Sequence, residues 1–366
     1  MFSIILIGVT TFMQIYVFSR AATIPLLKQH LPVKYLIGTG MVLWGLFYLS
    51  RTLRRSHAGL LIGGFEFFGM GWMGTLFLLF FAMLVVDFVT LFGFILPRLA
   101  PTLRGWALIV GGGLAIFALI QGLRPPTVQK YNVPITGLPA KMDGKKIVAL
   151  TDMHLGNQLG KSWLDNRIKQ VQKLKPDLVV LVGDILDGHD GTMSRLIPSL
   201  RRFSAPLGVW AVLGNHEFYR GADSSAELLE KAGITVLRNR WTEIHPGLVL
   251  AGVDDLTANR RFETNGDPLA TTLTGRPAGN TILLSHTPWQ AEKAGQSNVD
   301  LMLSGHTHNG QIWPFSYLVR RFYPLLYGYY EVQGMTVIVC RGTGTWGPRM
   351  RLWHPGEIME ITLRVK

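Results

Sequence analysis

Apolar residues crowd the first third of the chain and thin out after it. Runs from about Phe2 to Phe18, Tyr35 to Ser50, Trp72 to Phe94 and Gly105 to Leu123 each reach or approach the roughly 20 residues that cross a bilayer as a helix. The first run has no basic stretch before it and no small-residue cleavage site, and further runs follow, so it reads as a span and not as a cleaved leader. The stretch GLLIGGFEFFGMG, Gly59 to Gly71, is apolar but glycine-broken and carries Glu66. It reads either as a re-entrant or interfacial piece or as the first part of a long, tilted third span. Past LRPPTVQKYNVPITGLPAKMDGKK, whose prolines and glycines break any helix, the pattern becomes one of strands followed by helices. The expected organisation is therefore an anchor of about four spans over residues 1–124 and a globular domain over 125–366.

Charge sharpens this division. The formal net charge of +13 comes from nine basic residues against two acids (Glu66 and Asp87) up to Arg124, and 27 against 21 beyond it. In the first part the basic residues flank apolar runs, as membrane anchors do. They are scattered and not gathered into a patch with interleaved aromatics, so no nucleic-acid partner is expected. The single cysteine, Cys340, excludes an intrachain disulfide framework. The first run has no basic residue before it and Arg20 and Lys28 after it, which favours an external N-terminus of a multi-pass inner- or plasma-membrane protein. By parity the globular domain then also lies outside, although basic residues elsewhere are balanced between the two sides. Asp87 and Glu66, as ionisable groups in apolar runs, read as functional residues or, more simply, as headgroup-level or helix-pairing positions.

Chemistry enters at the ends of the strands. KIVALTDMHLG ends in Asp152 and His154, PDLVVLVGDILDGH in Asp184 and Asp187, PLGVWAVLGNHEFY in Asn215, His216 and Glu217, NTILLSHTPW in His286, and NVDLMLSGHTH in His306 and His308. Singly, an Asp after a strand is a common helix cap and a His a common turn residue. Five apolar strands that each stop at a metal-binding side chain, where open α/β sheets place ligands, point to one shared site.

The blocks DMH at 152, GDILD at 183, GNHE at 214, His286 in SHTP and GHTH at 305 resemble, in order and spacing, the calcineurin-like metallophosphoesterases. The longer stretches GHTHNGQIWP and CRGTGTWGPRMRLWHPGEI look like the membrane-associated bacterial branch of that superfamily. The chain departs from that branch at Asn309, where glycine is commoner, and around His354 to Glu357, where a proline usually precedes the acid directly. The resemblance implies an α/β domain of the calcineurin-like type, a four-layer α/β/β/α sandwich with two mixed sheets. It further implies a phosphoesterase or phosphodiesterase with two divalent ions, manganese, zinc or iron. Asp152, His154 and His308 would hold one ion, Asn215, His286 and His306 the other, and Asp184 would bridge them. His216 would act catalytically on the phosphate or leaving group, and Asp187 would orient a ligand histidine or cap its loop.

Such residue types suit the reaction on chemical grounds. Two hard divalent ions that clamp a phosphate and generate a hydroxide nucleophile need carboxylate and imidazole ligands and one carboxylate able to bridge. Arg341, with Arg349 and Arg351, supplies either bidentate phosphate contacts or a solvated basic edge; Asn157 and His189 lie near ligands in sequence. A non-catalytic scaffold and a nuclease are the competing readings. An intact cluster of carboxylates and imidazoles argues against the first, and the anchor and absent basic-aromatic face against the second. PFSYLVRRFYPLLYGYY, Pro314 to Tyr330, mixes Arg320 and Arg321 with rings and aliphatics. It reads as a surface against lipid headgroups, with a lipid-linked phosphate ester as substrate, or as a core segment whose arginines reach solvent.

Overall fold

The apolar runs fold as α1 (Phe2–Ala21), α3 (Val33–Ser56), α4 (Leu60–Val89) and α5 (Ala100–Leu123), with a short α2 (Pro25–His30) after the first. The computed structural model describes residues 2–56, 59–188, 190–261 and 266–366. Residues 1–124 with 347–354 form one compact unit, and residues 125–346 with 355–366 a second. Each of the four long helices is long and apolar enough to cross a membrane. Their outer faces carry Phe12, Met41, Leu61, Ile109 and Phe117 exposed, whereas Met13, Val17, Leu76, Met83 and Ala107 pack inward. Apolar residues on both faces are what a bundle needs when its solvent is lipid. α4 continues through Gly59–Gly71 instead of starting at Trp72, so that stretch is the first part of a long span. Glycines that would weaken a helix in water are tolerated where neighbouring helices pack closely.

Asp87, fully buried on α4, is a helix-pairing residue. Its carboxylate accepts from the Tyr16 hydroxyl at 2.6 Å and from Arg104 Nε at 2.7 Å, and Arg20 Nε lies 2.7 Å away. Arg104 also donates to Thr23 Oγ1 and to the Phe92 carbonyl. One acid thus ties α1, α4 and α5 together, because an isolated charge there would be costly and paired cations and hydrogen bonds offset that cost. The late segment 347–354 joins this unit: Arg351 N–H donates to the Ala118 carbonyl at 2.8 Å, and the Trp353 ring sits 5.8 Å from that of Phe117. A globular domain running unbroken from 125 to 366 is therefore interrupted by this segment, which holds both Arg349 and Arg351.

Among the described residues the second unit contains twelve strands: β1 (Thr127–Ile135), β2 (Lys146–Leu150), β3 (Leu178–Val182), β4 (Val209–Val212), β5 (Thr235–Val236), β6 (Arg240–His245), β7 (Leu248–Val253), β8 (Asn280–Ser285), β9 (Leu301–Ser304), β10 (Gly328–Val332), β11 (Met335–Val339) and β12 (Glu357–Val365). They form two six-stranded sheets, ordered β1-β12-β2-β3-β4-β5 and β10-β11-β9-β8-β7-β6. In the first, β2 to β5 run parallel and β12 is antiparallel to β2; in the second, β7, β8, β9 and β11 run parallel with antiparallel edges. Both sheets are mixed. Every residue of β3, β7 and β8 is buried, which explains why they read as continuous apolar runs without alternation.

Ile147, Val180, Val182, Val212, Leu250, Ile282, Leu303 and Ile338 pack between the sheets. The outer face of the first sheet, with Val148, Val179, Leu181 and Ala211, is covered by Leu164, Ile168 and Val171 of α6 (Lys161–Lys173) and by more C-terminal helical residues such as Leu229. The outer face of the second, with Ala251, Val253, Leu283 and Met302, lies under Leu269, Leu273, Ala291 and Ala294. The result is the calcineurin-like four-layer α/β/β/α sandwich. In it, the C-terminal ends of β2, β3 and β4 from one sheet and of β8 and β9 from the other meet along one edge.

Candidate metal centre

The loop after β2 presents Asp152 and His154, that after β3 Asp184 and Asp187, that after β4 Asn215 and His216, that after β8 His286, and that after β9 His306 and His308. Backbone hydrogen bonds lash these loops together: Asp152 N–H donates to the Gly183 carbonyl at 3.0 Å and His154 N–H to that of Asp184 at 2.9 Å. Asp152, His154, Asp184, His306 and His308 all adopt positive φ, between 45° and 69°. Left-handed backbone at non-glycine residues costs on the order of 1–3 kcal/mol apiece and persists where surrounding structure overrides it, typically at functional sites. Asn309 also has φ 51°. Asparagine is the residue after glycine that best tolerates this region, which accounts for it where glycine is commoner.

Two glycines permit the close approach. A Cβ on Gly214 would lie 2.2 Å from Asp184 Oδ1, and one on Gly305 would lie 2.4 Å from Asp152 Oδ2. The side chains then converge in three overlapping groups whose ligand atoms lie within 4.8 Å of one another: Asp152, His154 and His308; Asp184, His286 and His306; and His154, Asp184 and His216. His308 Nε2 stands 3.2 Å from Asp152 Oδ1 and 3.0 Å from His154 Nε2. His286 Nε2 stands 3.2 Å from Asp184 Oδ2 and 3.3 Å from His306 Nδ1. Asp184 Oδ2 is also 3.9 Å from His154 Nε2, so one carboxylate borders both groups.

These residues fit a pair of divalent ions. Two imidazole lone pairs do not face each other at about 3 Å without a proton or cation between them, and two such facing pairs occur here. Asn215 is buried, and its Oδ1 is shut away from solvent without a hydrogen-bond donor. A carboxamide oxygen in that state suits a hard cation. His286 Nδ1 donates to the Val182 carbonyl at 2.9 Å, which fixes the tautomer and leaves Nε2 to point into the cluster.

Sequence comparison identifies the family. The calcineurin-like phosphoesterase family model matches residues 145–310. An uncharacterized metallophosphoesterase of Campylobacter jejuni is 36% identical over 264 residues, covering 71% of this chain and 69% of that protein. One from Aquifex aeolicus is 36% identical over 242 residues, covering 65% of this chain and 92% of that protein. The chain belongs to the calcineurin-like metallophosphoesterase family. A transmembrane protein with metallophosphoesterase domain from Danio rerio is 35% identical over 270 residues, covering 70% of this chain but only 62% of that protein.

Electrostatics in this metallophosphoesterase follow from the crowding. Burial alone would raise the carboxyl of Asp184, but the imidazoles of His286, His216 and His154 hold it well below the usual carboxylate range. Asp152 is likewise held low against its burial by His308 and His286. His286, although buried, is pushed well above an ordinary imidazole by the carboxylates of Asp184 and Asp152. His306 is lowered by burial and by His286.

Asp187 reaches two histidines: its Oδ1 lies 2.9 Å from His216 Nδ1 and its Oδ2 3.4 Å from His154 Nδ1. Arg341 is buried, with Nε 2.9 Å from Glu357 Oε2 and its guanidinium over the Tyr327 ring. Its burial is explained by that ion pair, and Glu357 is the acid of the unusual His354 to Glu357 tail. Asn157 is half-buried after β2, and His189 lies outside the described residues.

Two contacts escaped sequence reasoning. Glu217, fully buried, accepts backbone N–H groups from Asp184 at 2.9 Å, Leu186 at 2.7 Å and Gly214 at 2.8 Å, and so binds the β3 loop to the β4 loop. The fourth residue of GNHE was its only signal. Tyr323 places its hydroxyl 2.8 Å from His306 Nε2, a pairing with no signature in sequence.

Proposed function

We propose that this chain is a membrane-tethered, metal-dependent phosphoesterase acting on phosphate esters, with a lipid-linked phosphodiester as its natural class of substrate. The observation that carries the reading is Asp184, set between one histidine pair that spans both sheets (His154 after β2, His308 after β9) and a second from the β8 and β9 loops (His286 and His306). Asp152, His154 and His308 would hold one divalent ion, Asn215, His286 and His306 the other, with Asp184 shared. Held there, the ions supply Lewis acidity toward phosphoryl oxygens and make water a competent nucleophile near neutral pH.

The chain's own residues do the rest. His216 shares a hydrogen bond with Asp187 through Nδ1, which leaves Nε2 as the atom that delivers a proton to the leaving oxygen as the P–O bond breaks. Asp187 steadies the imidazole through that cycle, as a carboxylate behind a catalytic histidine does. Its position against both His216 and His154 supports a positioning role and not a loop cap.

The lipid part rests on α14 (Phe315–Phe322), preceded in the second unit by α7 (Asp190–Ser194), α8 (Ile197–Leu200), α9 (Asn215–Arg220), α10 (Ala222–Lys231), α11 (Leu256–Arg261), α12 (Pro268–Leu273) and α13 (Ala291–Gln296). No residue of α14 is buried. Tyr317, Leu318 and Phe322 are 68%, 54% and 62% exposed, and Arg320 and Arg321 are exposed beside them. That exposure supports a surface against lipid headgroups over a core segment.

The test is elemental analysis of the purified full-length protein with a panel of phosphomonoesters, phosphodiesters and lipid pyrophosphates. About two ions per chain and metal-dependent hydrolysis are expected, and a metal-replete protein inert toward the whole panel refutes the reading. Arg320→Glu with Arg321→Glu should lower turnover of a lipid phosphodiester in vesicles relative to a nitrophenyl phosphodiester. Equal effects on both leave the anchor as localisation alone.

A further inference from the structure

Helix α14 is tied to the candidate metal centre at both ends. Its N-terminal side follows His308 through the short turn His308–Gly310. There Gln311 exchanges two hydrogen bonds with the backbone of Trp346, whose ring faces that of His216. At the other end Tyr323, the residue that closes the helix with its N–H on the Val319 carbonyl at 2.9 Å, turns its side chain inward. The phenol ring stacks on Trp289 at 5.6 Å, and its oxygen lies 2.8 Å from His306 Nε2. When that Nε2–H donates to the Tyr323 oxygen, the lone pair of His306 is fixed on Nδ1, the atom that faces His286 Nε2 at 3.3 Å.

The opposite side of the same helix is built to meet a membrane. Phe315, Leu318 and Phe322 are spaced at i, i+3 and i+7 and share one face, exposed at 42%, 54% and 62%. Arg320 and Arg321 supply cations complementary to anionic headgroups. A chain that also carries four helices able to cross a bilayer keeps such a face at high local lipid concentration.

We propose that α14 lies in the plane of an anionic bilayer surface and that Tyr323 is a positioning residue coupling this seating to His306, so that lipid contact sets how firmly the metal centre holds its ions. The coupling rests on the metallophosphoesterase reading above and adds regulation to it. It is reciprocal: whatever tightening of metal binding the bilayer brings, metal binding returns as tighter seating of α14. The bilayer thereby favours the loaded enzyme where its substrate resides.

The experiment uses the full-length protein loaded with Mn2+, in detergent micelles, in phosphatidylcholine vesicles and in phosphatidylcholine vesicles containing phosphatidylglycerol, and follows loss of Mn2+ to a chelator. Wild type should retain its more weakly held ion about tenfold longer on the anionic vesicles than on the neutral ones. Tyr323→Phe keeps the ring on Trp289 but loses the oxygen, and should weaken Mn2+ binding by about 10- to 100-fold, the usual effect of removing a partner behind a ligand histidine. The spectrum of the Co2+-loaded variant should shift with it, which a purely structural role would not produce.

Leu318→Ser with Phe322→Ser should abolish the difference between vesicles while leaving Mn2+ affinity in micelles unchanged. If that variant misfolds, Arg320→Gln with Arg321→Gln removes the headgroup attraction and should abolish the same difference. Identical Mn2+ retention by wild type in all three environments, or wild-type affinity in Tyr323→Phe, overturns the proposal. So does a lipid-independent dimer that shields α14, because a second copy then covers the face. Hydrolysis of the ester panel in micelles is read in parallel: inactivity toward the whole panel refutes the hydrolase reading, whereas activity with lipid-blind metal retention refutes only the coupling.

Discussion

Glu217→Gln isolates a single carboxylate that touches neither group of metal-binding side chains yet shapes both loops that carry them. Oε2 accepts from Asp184 and Gly214, and Oε1 from Leu186. A carboxylate only accepts, whereas a carboxamide replaces one acceptor with a donor. The amide does least harm with its nitrogen toward Leu186, so at least one buried N–H loses its acceptor, at about 1–3 kcal/mol. At about 2–4 °C per kcal/mol for a domain of this size, the metal-loaded variant should melt measurably below wild type.

Without metal the balance changes. The Glu217 carboxyl is pushed up to about 7 from its ordinary 4.5 by burial and by the Asp184 carboxylate. A folded value above the unfolded one stabilises the fold fully below pH 4.5, and that contribution is lost as pH rises through about 7. In stripped protein at pH 8 the ionised Glu217 therefore forfeits on the order of 3 kcal/mol, which glutamine avoids. Thermal melts followed by tryptophan fluorescence at pH 8 should show the variant clearly destabilised with Mn2+ and level with, or above, wild type after stripping. Equal melting of the two proteins with Mn2+ present would refute the claim that this carboxylate holds the loops together.

Asp184→Asn should lower bound metal and hydrolysis together while the protein still inserts into membranes; two ions and near-normal turnover in the variant would remove the shared-ligand assignment. His216→Ala should keep both ions and lose about 100-fold or more in rate, the scale of a missing general acid. Loss of an ion instead, measured by elemental analysis, would move His216 from proton donor to ligand.

The candidate site was legible because each candidate ligand follows an apolar strand and the strands are parallel and largely buried. β3 and β8 are fully buried and therefore written as unbroken Val/Ile/Leu runs, so their ends could be located to within a residue or two. The α4 boundary was harder, because hydropathy marks where apolar residues lie and not whether Gly63, Gly64 and Gly69 interrupt a helix. What composition could not reveal is pairing between distant segments. Asp87 reads as an isolated charge until Arg20 and Arg104 close on it, and Arg341 as a loose cation until Glu357 does.

The same limit explains why Tyr323 stayed hidden. A tyrosine among the aromatics of a surface helix satisfies the expectation of an interfacial belt, so its composition is fully explained without the metal centre. Its inward turn becomes visible only when His306, far enough upstream for a helix to intervene, is seen 2.8 Å from its hydroxyl. Outward-facing Phe322 and inward-facing Tyr323 are adjacent in sequence but address different environments. A short helix with no buried residue of its own is held in place chiefly by its two ends. Because Tyr323 at one end touches His306, lipid seating of the helix has a direct route to that imidazole, whereas side-chain changes on the exposed face alone do not alter the Tyr323–His306 contact.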